Sequence, residues 1–195
     1  MKRTTCLALI LAALLISSCG TGQEAKNGVP ANVPEIAESA ETDQTDTECK
    51  ICDVDESSYS GPLSKAEVRG LLLALNDEYK AWATYERINK SFGSPRPFLN
   101  IQRAEAKHID RLKPIFVKYE VKVPGNPWTD DAPEFGSLLE ACKAGVAGEI
   151  ANRDLYNKLI ESTDREDIVS VYKALQSASA NNHLPAFERC VARTS

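Results

Sequence analysis

Apolar residues recur every three or four positions along four stretches of the chain, and each stripe carries one or two ionisable residues near its middle. The first stripe is Val68, Leu71, Leu75, Glu78, Trp82 and Tyr85. The second is Phe98, Ile101, Glu105, His108, Leu112, Ile115 and Tyr119. Leu138, Cys142, Gly145, Glu149, Asn152, Tyr156 and Leu159 make the third, and Ile168, Tyr172, Leu175, Ser179, His183, Ala186 and Cys190 the fourth. Such spacing places residues on one face of an α-helix. Ser64-Lys65-Ala66-Glu67 has the form of a capping box and opens the first helix, predicted to run to about Ser91. Gly93, Pro95 and Pro97 then break the chain, and the second helix is expected over about Phe98 to Glu120. A loop with Pro124, Gly125, Pro127 and Trp128 leads to a third helix, about Pro133 to Ser162, and Thr163 with Glu166 caps the fourth. Pro114 and Pro185 fall inside helices, where each predicts a local kink. No part of this region alternates like a strand. The short breaks make two hairpins joined by a longer connection, so the fold class predicted for 63–195 is all-α, an antiparallel four-helix bundle.

The ionisable residues in these stripes change the picture. A buried carboxylate is costly unless something pairs with it. Here Glu78, Glu105, His108, Glu149 and His183 all point from separate helices toward one core. One Glu on a helix, then Glu-x-x-His on the next, is the arrangement of two-metal carboxylate sites built inside helix bundles. The three-residue step from Glu105 to His108 puts both on one helix face, within reach of one ion. Imidazole with carboxylate suits iron, manganese or zinc better than calcium. Taken singly, a histidine in a stripe is an ordinary core residue, and a lone Glu pairs with a base or reaches the rim. Five such groups in register, among them both histidines of the chain, point instead to a bound metal ion. Tyr85 and Tyr156 are expected as core tyrosines whose hydroxyls reach a carboxylate.

Asp77-Glu78-Tyr79-Lys80-Ala81 with Tyr85, Glu105-Ala106-Lys107-His108, Glu149 with Tyr156, and Asn182-His183-Leu184 carry a resemblance over about 64–190. In order and spacing they resemble the ferritin-like superfamily, in particular a branch of exported prokaryotic ferritin-like domains whose function is uncharacterised. The resemblance implies a di-iron-type centre held by Glu78, Glu105, His108, Glu149 and His183, with Tyr85 and Tyr156 beside it. The implied activity is an oxidoreductase acting on oxygen or peroxide. One position departs from the pattern. The superfamily's second bridging glutamate would stand three residues before His183, where this chain has Ala180. Five ligands remain, with Glu105 the one bridge, so a lopsided two-ion site and a single ion both stay open. So does a metal-binding or structural lipoprotein without turnover. Such bundles often dimerise, and no face of this one is marked for it.

The N-terminal third has a different character. Lys2 and Arg3 precede an apolar run from Cys6 to Ile16, followed by Ser17-Ser18-Cys19-Gly20. This looks like a bacterial lipoprotein signal, residues 1–18, with Cys19 as the acylated N-terminus. It implies export and anchoring in membrane lipid in the cell envelope, on the periplasmic or outer side. Residues 20–60 hold ten acids against two bases, and 61–195 eighteen acids against nineteen bases. The acidity of the mature chain thus lies in a spacer, 19–62, expected to be a disordered tether. The near-neutral helical part has no basic face for nucleic acid, and the chain shows no nucleophilic triad or phosphate loop. In an exported protein the four remaining cysteines favour disulfides. Cys142 stands seven residues before Glu149 and Cys190 seven after His183. On antiparallel helices that places both at one end, which predicts a Cys142–Cys190 bond and leaves Cys49 to close on Cys52; crossed pairs are the alternative.

Overall fold

Ser64 starts the first helix as its sequence predicts: its hydroxyl accepts from the Glu67 amide at 3.2 Å, and the Glu67 carboxylate accepts from the Ser64 amide at 2.7 Å. The computed structural model describes residues 49–53 and 59–195, and among these every regular element is helical. The leader 1–18, Cys19 and most of the expected spacer lie outside the described residues. Helix α1 is Lys65–Phe92, closed by Gly93 in the left-handed region at φ 73°. Helix α2, Phe98–Lys118, returns along it and carries Pro114 on its exposed side without interruption. Helix α3 is Leu138–Glu161 and α4 is Glu166–Ala178. A π-helical turn, Ser179–His183, leads directly into α5, Leu184–Thr194.

Three helix boundaries or registers differ from the sequence reading, each for a local reason. Helix α3 begins at Leu138, five residues later than Pro133, because Ser137 is the residue that caps it, accepting from the Glu140 amide. Thr163 does not cap α4. Its hydroxyl donates to Glu67 at 2.7 Å, and Arg165 takes the capping position. The kink expected at Pro185 is replaced by the π turn ahead of it, in which the Leu184 amide bonds back to Ser179. Pro185 then falls in the first turn of α5, where a missing N–H costs least. The turn adds one residue to the stripe, so Phe187, not Ala186, is the buried residue after His183. In α1, Trp82 is half-buried at the margin, and Ala83 takes the interior position.

The apolar interior is two clusters. The larger contains Leu71, Leu75, Leu112, Phe116, Tyr156, Tyr172 and Leu175, and the smaller Tyr85, Ile88, Phe98, Ile101, Cys142, Phe187 and Cys190. Every helix passes between them at its ionisable residue: α1 from Leu75 through Glu78 to Tyr85, α2 from Ile101 through Glu105 and His108 to Leu112. The α3 path is Cys142, Glu149, Tyr156, and the last helical run goes Leu175, His183, Phe187. These orders make α1 antiparallel to α2 and α3 antiparallel to α4–α5. Helices α2 and α3 run the same way, so the 119–137 connection must travel back along the domain. The ionisable groups therefore lie in one polar layer between two apolar ones.

Cys142 is paired with Cys190, tying α3 to α5, and Cys49 is paired with Cys52. The second pair modifies the expected spacer. Ile51 and Cys52 are buried against the larger cluster, and the Lys50 amide donates to Asn76 on α1 at 3.1 Å. Trp128 Nε1 donates to the same Asn76 oxygen, and Lys50 lies over the Trp128 ring, 3.8 Å from its centroid, with Asp131 as its ion-pair partner. Tyr59 donates to the Tyr119 carbonyl and accepts from the Leu63 amide. Residues 49–53 and 59–62 thus pack on the helices, because a closed four-residue loop presents one apolar side chain and one free amide to them.

Gly145 is where α3 and α5 approach. A Cβ there would lie 2.6 Å from the Phe187 ring, which is wholly buried between Tyr85 and Phe98. Gly145→Ala should gain about 1 kcal/mol in helix propensity. The displaced ring should cost about 1–3 kcal/mol or more, so a net loss is expected in denaturant unfolding. A stabilised variant would show that Phe187 has room to move.

Candidate metal centre

The three-residue step on α2 brings Glu105 and His108 together, with His108 Nδ1 2.7 Å from Glu105 Oε2. Helix α1 adds Glu78, whose Oε2 lies 3.1 Å from the same His108 nitrogen. On the other side, His183 Nδ1 lies 3.1 Å from Glu105 Oε1 and 3.4 Å from Glu149 Oε2. Two groups of three result, Glu78–Glu105–His108 and Glu105–Glu149–His183. Within each, every residue offers a ligand atom within 4.8 Å of the others. Each group could hold a metal ion, and Glu105 serves both, one oxygen to each. The two imidazoles stack at 5.4 Å. All five residues singled out from the sequence are brought together here.

The remaining carboxylate oxygens are held by tyrosines in a crossed pattern. Tyr85 on α1 donates to Glu149 Oε1 on α3 at 2.8 Å, and Tyr156 on α3 donates to Glu78 Oε1 on α1 at 2.6 Å. Burial, then the neighbouring carboxylate charges, push both phenols well above their ordinary range, so both keep their protons and act as donors. Each terminal glutamate is thereby oriented with one oxygen occupied and the other turned to the histidines.

The electrostatics fit a cation. Three carboxylates, Glu78, Glu105 and Glu149, are at most 2 % exposed. Burial and the Glu105 charge raise Glu78 to about 7, partly offset by His108. Burial alone would raise Glu105 too, but the two histidines beside its oxygens outweigh it and hold that carboxyl low. Burial also disfavours charge on His108, yet Glu105 and Glu78 lift it to about 10. The same opposition lifts His183 to about 9 beside Glu105 and Glu149. His183 Nδ1 nevertheless makes no hydrogen bond, because neither oxygen lies in line with it, and so it is a buried polar atom without a partner. A nitrogen aimed between two carboxylate oxygens without bonding either is placed as a ligand is. The residues therefore fit a metal ion.

A pH dependence follows for the metal-free protein. The folded values of both histidines exceed the ordinary 6.5, so their contribution to stability is complete below 6.5. It is lost as pH rises through about 9 and 10. Glu78 acts in the same direction, since it must ionise at about 7 instead of 4.5. Urea midpoints of metal-free protein should fall steadily from pH 6 to pH 10; a flat or rising series would contradict this arrangement of charges.

Two features were not singled out from the sequence. Asp77 on α1 accepts from Asn152 at 2.6 Å, and Asn152 accepts from Ser179 at 2.6 Å, so a buried amide links α1, α3 and the π turn. The polar residues at interior positions of stripes three and four were the available signal. Ser179, four residues before His183, is the buried group next to it in the turn, while Ala180 is half-exposed. The second feature is a cavity of about 550 Å³ between α1 and α3 that reaches Glu105, Glu149 and Tyr85.

Among known proteins, the chain is similar to an uncharacterized protein, MJ0754, of Methanocaldococcus jannaschii. The two are 29% identical over 143 residues, covering 66% of this chain and 76% of that protein. The crystal structure of that hypothetical protein superposes with a TM-score of 0.62 at 26% identity, covering 69% of this chain and 84% of that one. No protein-family model matches the chain. Among the described residues, no helix is long and apolar enough to cross a membrane.

Proposed function

We propose that this protein is a ferritin-like four-helix bundle that holds a two-ion carboxylate centre and works as an oxidoreductase on oxygen or peroxide, anchored in the bacterial cell envelope through an acylated Cys19. One observation carries the reading: Glu105 presents one oxygen to each of two Glu–Glu–His groups. A carboxylate in that position would be shared between the ions if both groups were filled, and tyrosine-held glutamates flank it on both sides. Oxygen donors with one imidazole per ion suit iron, manganese or zinc, and the resemblance to the ferritin-like superfamily favours iron among them. Iron held by these five residues would supply one-electron redox chemistry. This chain's residues do the rest. Glu78, Glu105 and Glu149 neutralise charge, and His108 and His183 complete each half. Tyr85 and Tyr156 hold the terminal carboxylates and keep protons close to them. Apolar layers cover the centre on both sides, and the α1–α3 cavity opens onto its Glu149 half. Lys2, Arg3, the apolar run and the small residues before Cys19 support the anchor, and labelling with a radioactive fatty acid that disappears in Cys19→Ser tests it.

Ala180 favours a second reading, a metal-binding lipoprotein without turnover, because one bridging carboxylate of the superfamily pattern is replaced by a methyl group. Elemental analysis of the purified protein, followed by anaerobic iron loading and measurement of oxygen consumption, separates the two. Two ions per chain with oxygen uptake supports the oxidoreductase. Metal without uptake leaves the second reading, and no metal ends both.

A further inference from the structure

The cavity between α1 and α3 is too large for dioxygen or hydrogen peroxide. At about 550 Å³ it is more than ten times the roughly 30 Å³ that one water occupies in the liquid. It falls instead within the range of sites for small organic ligands, about 300–1,000 Å³. Its α3 wall includes Ala144, Gly145, Ala147, Gly148 and Ala151, Leu73, Phe135 and Leu155 also line it, and Glu105, Glu149 and Tyr85 reach it from the interior. Neither Glu78 nor His108 lines it, so only the Glu149 half of the centre opens to it. Gly148 has no packing reason to be glycine. A Cβ there would meet only the Tyr85 hydroxyl, at 3.9 Å, whereas one at Gly145 would strike Phe187. A mid-helix glycine costs about 1 kcal/mol relative to alanine. What it provides here is space beside the Tyr85–Glu149 hydrogen bond.

Charge suggests what fills the space. Two divalent ions carry four positive charges, and the three carboxylates of the centre carry three negative ones once the histidines ligate as neutral imidazoles. Asp77 and Lys80 both line the cavity and their formal charges cancel. One positive charge remains at the centre, and the cavity reaches it through Glu105 and Glu149. We propose that this cavity binds a small organic monocarboxylate with an apolar tail, its head group supplying a fourth carboxylate at the Glu105–Glu149–His183 half and its tail lying along the alanine and glycine face of α3. This rests on the two-ion reading above.

The test uses the full chain loaded with manganese, its metal content measured first, and calorimetric titration with acetate, butyrate, hexanoate and octanoate. Affinity should rise about three- to fourfold per methylene until the cavity is full, roughly a hundredfold from butyrate to octanoate. Metal-free protein should bind each at least tenfold more weakly. Ala144→Leu should weaken octanoate at least tenfold and leave acetate within about twofold, whereas Gly148→Leu, beside the Tyr85–Glu149 hydrogen bond, should weaken all four acids. Protein that takes up no metal overturns the two-ion reading and the inference with it. Protein that holds two ions but binds all four acids alike, or binds them equally without metal, overturns the inference alone. The chain-length series on the unaltered protein decides the matter even where a variant fails to fold.

Discussion

Replacing Glu105 with alanine should strip metal from both halves of the centre at once, while Glu78→Ala or Glu149→Ala should leave one half able to bind. The difference comes from geometry: His108 lies 2.7 Å from one Glu105 oxygen and His183 3.1 Å from the other, whereas Glu78 and Glu149 each face a single histidine. Losing a partner that merely orients a ligand typically weakens metal binding about 10–100-fold. Losing a shared ligand should exceed about a hundredfold at both positions. His108→Ala should resemble Glu78→Ala, and His183→Ala should resemble Glu149→Ala. Metal content after dialysis, with anaerobic titration of iron or manganese, reads the result directly. Equal losses in Glu105→Ala and Glu78→Ala would show that Glu105 does not bridge.

Cys142→Ala combined with Cys190→Ala should lower stability by about 4 kcal/mol. The pair spans 48 residues of sequence, and the chain-entropy estimate for a loop of that length gives this value. For a helical region of this size the melting temperature should fall by roughly 10–15 °C. Both sulfurs are buried, at 0% and 1% exposure, so two methyl-sized gaps add to the loss. The comparison belongs on metal-free protein, since bound metal would stabilise both forms unequally. Thermal melts in which the double variant loses less than about 1 kcal/mol would show that the α3–α5 contact holds without its cross-link. The Cys49–Cys52 pair encloses only a few residues and should matter far less to the helices, because little loop entropy is at stake. Its removal should instead free the Ile51 contact and the Lys50–Asn76 hydrogen bond.

The helical character was legible because each stripe is amphipathic by itself. Periodicity and the Ser64 capping box are local properties of a few turns. The ionisable residues stood out for the same reason, since Glu78, Glu105, His108, Glu149 and His183 occupy positions that the period reserves for the interior. Less local features escaped. Thr163 looked like a cap, but its oxygen accepts from the Arg165 amide, ahead of the first turn, while its hydrogen goes to Glu67 on another helix. Pro185 suggested a kink, yet the backbone shifts its register one turn earlier, which no propensity at Ser179–His183 foretells. Residues 49–53 looked like spacer, since a single isoleucine among polar residues signals nothing until Asn76 and Trp128 are placed beside it.

Spacing alone determined most of the side chains that face inward, Trp82 and Ala186 excepted, because a side chain's place on its own helix depends on a few turns. Which inward groups meet was a tertiary decision. Helix directions and the return of the 119–137 segment put Tyr85 on Glu149 and Tyr156 on Glu78, contacts between helices that spacing along one helix does not specify. Packing also decided that, of two glycines lining the same cavity, Gly145 has a ring against its Cβ position while Gly148 has open space there. Two glycines three residues apart on one helix look alike in sequence; what stands opposite each of them belongs to another helix.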